Sequence, residues 1–179
     1  MKAFFQDQPT HQMNASLPPG KVLFSGSSVR SRPIQLPGHI DTCYIDGRFD
    51  TVLAFDDNSY AVVDFKTSDP KPEHIAFYGR QLHAYAYALE HPAAGRLSLA
   101  PISRLGLFIV QPKDMARYAD GRIAYLGDVT WLEVPCDEGA FLTFLDQVMA
   151  VLELPDPPVA SSKCVWCQYR QLARENPDY

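Results

Sequence analysis

The sequence predicts an α/β fold, a mixed central β-sheet flanked by helices, built as one domain over residues 1–179. Three observations carry this. Runs rich in β-branched and aromatic residues, at 42–66 and again at 105–134, read as strands. Stretches with an apolar residue every three or four positions, at 75–89 and 141–152, read as helices placed between and after them. The third is composition: 46% apolar, 12% aromatic and 21% charged residues describe a folded chain and exclude a disordered one.

Residues 1–37, rich in Gln, Ser, Pro and Gly, are the least legible segment, with one β-like stretch at 21–24 and a second near Val29. From Thr42 the texture changes. Thr42-Cys43-Tyr44-Ile45 leads into the run 48–55, a polar Asp56-Asp57-Asn58-Ser59 segment follows, and the run 60–66 returns, which predicts a β-hairpin. Pro72 stands where a first helical position would be. Ile75, Tyr78, Leu82, Tyr85, Ala86 and Leu89 then recur at helical spacing until His91-Pro92 stops the pattern. Residues 105–110 form a continuous apolar run suited to a buried strand, and 122–134 supply one or two more, broken at Gly127-Asp128. Asp137 is placed to cap a helix with the apolar stripe Phe141, Leu145, Val148 and Leu152, which ends in the segment 155–158. Residues 155–179 read as a tail with a short helix and a cysteine pair, Cys164 and Cys167.

Sixteen Lys and Arg against twenty-one Asp and Glu leave a net charge of −5, which argues against broad charge-driven adhesion to nucleic acid or acidic lipid, so a phosphate-binding surface must be local. Cys43, Cys136, Cys164 and Cys167 are too few and scattered for a disulfide framework and fit a reducing compartment. Residues 1–10 carry one basic residue and only the short Ala3-Phe4-Phe5 run, neither a signal peptide nor a membrane span. A cytoplasmic protein without a membrane partner is expected.

The chemistry concentrates in the hairpin. Strand residues alternate faces, so Asp64 and Lys66 share a side. A two-residue turn at Asp57-Asn58 would set Asp64 across from Thr51 and Phe65 across from Asp50; a one-residue change in turn length sets Asp50 directly opposite Asp64. Two carboxylates so placed repel unless a cation lies between them, and an all-oxygen donor set favours Mg²⁺ or Mn²⁺ over zinc. Lys66 would bring a positive charge to the same place, to stabilise charge developing on phosphate or to orient and deprotonate an attacking water. The plainer reading is a solvent-facing Asp-Lys ion pair on an ordinary α/β domain.

Gly47-Arg48-Phe49-Asp50, Val62-Val63-Asp64-Phe65-Lys66-Thr67 and Gln81-Leu82-His83-Ala84-Tyr85 resemble, in order and spacing, the G-x-x-D, D-x-K-T and Q-x-x-x-Y motifs of the PD-(D/E)XK nucleases. The RecB-like branch, related to the CRISPR-adaptation exonucleases, is the nearest match. The resemblance implies a restriction-endonuclease-like core, metal ligation by Asp50 and Asp64 with the Phe65 backbone carbonyl, a catalytic Lys66, and Gln81 and Tyr85 supporting the site. It implies a Mg²⁺- or Mn²⁺-dependent deoxyribonuclease of the kind used in DNA repair, an exonuclease on ends or single strands. Tyr85 also falls on the apolar stripe, where packing alone would explain it.

Gly38-His39-Ile40-Asp41 is a competing G-x-x-D, but Asp41 lies nine residues before Asp50, about 30 Å of extended strand, and ranks below it. His39 and His11 are candidates to replace an N-terminal acidic or histidine ligand that residues 1–37 do not otherwise present. The segment 164–170 resembles the cysteine tail of iron–sulfur members, yet two of the four cysteines such a cluster needs are not in place, so no cluster is expected and the pair reads as a remnant or a buried thiol pair. Arg30, Arg32, Lys71, Arg80, Lys113, Arg117, Arg122, Lys163 and Arg170 are candidates to hold a nucleic-acid backbone. The alternative function is a catalytically inactive nucleic-acid-binding or assembly module on the same fold, with a protein partner or a second copy.

Overall fold

The computed structural model describes residues 2–71 and 73–175. In chain order its elements are α1 (Lys2–Phe5), a 3-10 turn (Thr10–Gln12), β1 (Gly20–Ser25), β2 (Ser28–Arg30), β3 (Asp46–Arg48), β4 (Thr51–Phe55), β5 (Tyr60–Thr67), α2 (Glu73–Glu90), β6 (Ile102–Arg117), β7 (Ile123–Val134), α3 (Glu138–Leu152) and α4 (Val165–Glu175). Pro72, expected to open α2, lies outside the described residues. The main sheet runs β1-β4-β5-β6-β7 and is mixed, as expected: β5 and β6 are parallel and the other neighbours antiparallel. A parallel pair cannot be joined by a tight turn, and α2 supplies the crossover. No described helix is long and apolar enough to cross a membrane.

The hairpin differs from the two-residue turn, its loop being one residue longer. Phe55 N–H donates to Ser59 O at 2.9 Å, leaving a three-residue loop. Asn58 takes the left-handed conformation (φ 65°) that such a loop requires, and Asp57 Oδ1 accepts from Ser59 N–H at 2.9 Å. The run 48–55 is not one strand. β3 pairs with β2 in a separate two-stranded sheet while β4 joins β5, and fully buried Phe49 sits at the corner between them.

Strand alternation gives the sheet two apolar faces. Val62, Leu105, Leu107 and Ile109 pack with Leu82, Ala86 and Leu89 of α2 on one. On the other, Ala61, Val63 and Phe108 pack with Phe5, Met13 and Leu17. The segment 1–37, illegible as sequence, thus covers a sheet face; Phe5 stacks on Phe65 at 6.0 Å and meets Phe108 edge-on at 5.2 Å.

β6 runs well past the apolar stretch 105–110, and β7 continues unbroken through Gly127-Asp128. The irregularity lies on β6, between Pro112 and Asp114. Gly127 is needed there because a Cβ would stand 2.2 Å from Gln111 O; the glycine permits close approach instead of ending the strand. Asp137 caps α3 as expected, accepting from Ala140 N–H at 2.8 Å. Its buried residues are Phe141 and Met149, with Leu145 partly buried beside them and Val148 outside that cluster; Leu152 is exposed. α4 has no buried residue, and Cys164 and Cys167 at its start are half-buried free thiols, so the buried-pair reading fails.

Candidate active site

Register builds the site. Thr51 pairs with Val63 at the end of the β4–β5 ladder, and Asp50, at the bend just before β4, brings its carboxyl to that of Asp64. The Phe55–Ser59 pair is hydrogen-bonded. Alternation from it makes 51–63 a hydrogen-bonded pair. Phe65 N–H donates to Asp50 Oδ2 at 3.0 Å. In an extended strand the carbonyl of a residue leaves on the same edge as its N–H, so the Phe65 carbonyl also points to the edge where Asp50 lies.

Asp64 is 4% exposed, which overturns the solvent-facing reading of the Asp-Lys pair. Its wholly buried Oδ2 has Lys66 Nζ at 2.6 Å as an ion-pair neighbour, without the alignment of a hydrogen bond. Burial pushes the Asp64 carboxyl above its ordinary range; Lys66 opposes this and Asp50 adds to it. A buried carboxylate facing a second one, with an oxygen no donor is aligned to, is the donor chemistry of a hard divalent cation. Asp50, Asp64 and the Phe65 carbonyl fit that group. Among the described residues no cluster of three His, Cys, Asp or Glu side chains is formed, so water or substrate oxygens would complete the shell.

α2 contributes a strip of side chains. Tyr78, Gln81 and Tyr85 stand at i, i+3 and i+7, on one helix face. Gln81 Nε2 donates to the Tyr85 hydroxyl at 2.9 Å, and the Tyr85 ring lies so close to Gly47 that a Cβ there would stand 2.9 Å from its Cε1. That contact ties Q-x-x-x-Y to G-x-x-D. Sequence reasoning missed Tyr78: Lys66 Nζ lies 4.1 Å from the centroid of its ring. The signal was available in the helical spacing to Gln81 and Tyr85, but Tyr78 also fits the apolar stripe.

Other candidates lie elsewhere. His39 is clamped on α3, Nε2 against Asp146 Oδ1 at 2.9 Å and Nδ1 against Glu153 Oε2 at 2.8 Å. Glu153 Oε1 accepts from Ile40 and Asp41 N–H at 3.0 and 3.2 Å, so the upstream G-x-x-D is a loop anchor. His11 is an exposed residue of the 3-10 turn. Cys43 forms an isolated β-bridge with Ile34 and packs in the cluster with Phe141 and Met149. Several candidate basic residues are engaged locally: Arg30 with Asp46, Lys113 with Asp128, Arg122 with Asp120, and Arg80 over the Phe144 ring.

No curated protein matches the chain. A solved structure titled "Crystal structure of SSO0001" aligns at 21% identity and a TM-score of 0.41 over 80% of this chain, which spans 57% of the length of that one. The family model of the PD-(D/E)XK nuclease superfamily matches residues 10–172, which take in both faces of the sheet, the hairpin and the strip on α2. The chain belongs to the PD-(D/E)XK nuclease superfamily.

Proposed function

We propose that the protein is a metal-dependent deoxyribonuclease that hydrolyses phosphodiester bonds, acting as an exonuclease on DNA ends or single strands. The observation that supports it most is the buried Asp64 facing Asp50 with Lys66 at its side. Asp50, Asp64 and the Phe65 carbonyl would hold Mg²⁺ or Mn²⁺, which when bound supplies Lewis acidity and an acidified water. Lys66 places a positive charge where phosphate charge develops and orients the attacking water. Gln81 and Tyr85, joined by their hydrogen bond, hold the substrate side of the site. Preference for DNA, and for ends or single strands, rests on the resemblance of the three motifs to the RecB-like branch.

Asp64→Ala and Lys66→Ala are expected to lose Mn²⁺-dependent cleavage of a DNA oligonucleotide while retaining the wild-type circular dichroism spectrum. Cleavage unchanged in both variants would sink the assignment. A second reading, an inactive nucleic-acid-binding or assembly module, is favoured by one observation: two carboxylates without a third acidic, His or Cys side chain beside them among the described residues. DNA binding with no metal-dependent turnover in wild-type protein selects it.

A further inference from the structure

Lys66 Nζ has two anchors of different kinds: Asp64 Oδ2 at 2.6 Å and the face of the Tyr78 ring at 4.1 Å. The Lys66 side chain is 21% exposed, a partly buried setting in which attraction to a ring face is stronger than at an open surface. The two anchors respond oppositely to a divalent cation between Asp50 and Asp64. Such a cation takes up the charge of the Asp64 carboxylate and repels the ammonium, so the ion pair weakens. The ring face is indifferent to what the carboxylate holds. With neither anchor, the four-carbon stem of Lys66 is free to turn toward solvent.

We infer that Tyr78 is a positioning residue that keeps the Lys66 ammonium at the site once Asp64 serves as a metal ligand. The inference rests on the nuclease reading above and deepens it. Tyr78 acts through Lys66 and touches neither metal nor substrate. The aromatic face is the requirement, and the hydroxyl is not. Loss of the ring should therefore slow the chemical step and leave ground-state binding of DNA unchanged.

The test uses the full chain with Tyr78→Phe, Tyr78→Trp and Tyr78→Leu. In Mn²⁺-dependent cleavage of a single-stranded oligonucleotide, Phe and Trp should retain wild-type kcat, while Leu lowers kcat about tenfold with KM unchanged. A second readout is independent of turnover. The Lys66 Hε resonances, assigned through Lys66→Arg, should be shifted upfield by the ring in wild type and Tyr78→Phe, with and without Mg²⁺, and should lose that shift in Tyr78→Leu. Wild-type kcat in Tyr78→Leu, or equal damage in Tyr78→Phe, overturns the inference. So does disappearance of the shift when Mg²⁺ is added to wild type. Absence of cleavage by wild type overturns the nuclease reading instead, and the resonance arm still decides whether the ring holds the lysine.

Discussion

Asp64, proposed above as a metal ligand, is a position whose burial bears on stability. Burial raises its carboxyl above the ordinary 3.8, and Asp50 adds to the rise although Lys66 opposes it. In the metal-free protein the folded state therefore keeps the Asp64 proton longer than the unfolded one. The stability this contributes is full below pH 3.8 and is lost as pH rises through the raised value. Above that value the ionised side chain is a net cost to the fold, because it is held in a largely buried setting. Metal-free Asp64→Asn should accordingly melt at a higher temperature than wild type at pH 7, with the difference vanishing below pH 4. Calorimetry across that range checks it, and a lower melting temperature at pH 7 contradicts this account. The charge was legible in the sequence as part of D-x-K. Its burial was not, because a strand of alternating faces does not reveal which face is covered.

At the scale of elements, α2 links the sheet to the strip of site side chains. Leu82, Ala86 and Leu89 are buried against β5 and β6, and this fixes the rotation of the helix so that Tyr78 and Tyr85 lie at the margin of the same buried stripe, with Gln81 beside them. The fit at Gly47 is tight. Gly47→Ala places a methyl 2.9 Å from Tyr85 Cε1, and because that ring is packed and held by Gln81 it cannot swing away cheaply. The substitution is expected to cost about 1–3 kcal/mol in urea unfolding. Restoring room with Gly47→Ala in a Tyr85→Leu background should recover part of that loss, since neighbours in contact are not additive. The glycine of G-x-x-D is thereby explained by a clash with an aromatic residue 38 positions later in the chain. Helical periodicity made α2 readable. The strands of the β6–β7 ribbon were harder to read, because beyond Val110 they pair with each other and carry no core face to impose alternation.

At the scale of the whole molecule, the loop before β3 is fastened to α3 across more than a hundred positions by His39, Asp146 and Glu153. Hydrogen bonds to Glu153 and Asp146 raise the His39 pKa, and the bond to His39 lowers that of Glu153. For the histidine, the stability gained is complete below its ordinary 6.5 and lost as pH rises through the raised value. For the glutamate, the gain is complete above 4.5 and lost as pH falls through the lowered value. His39→Gln should therefore lower the melting temperature most in the weakly acidic range, with the deficit shrinking toward alkaline pH. Thermal melts of both proteins from pH 4 to 9 check this; a constant deficit contradicts the clamp.

By itself the sequence determined the α/β class, the order of the main strands and helices, and the sharing of one face by Asp64 and Lys66. These follow from local periodicity, which the chain carries wherever it folds. Tertiary structure alone decided whether Asp50 meets Asp64, because register turns on one residue of loop length and the left-handed Asn58 that accommodates it. It also decided that Lys66 rests on Tyr78 and that His39 belongs to a loop anchor. Those contacts join residues distant along the chain, and only burial of the sheet faces brings them together.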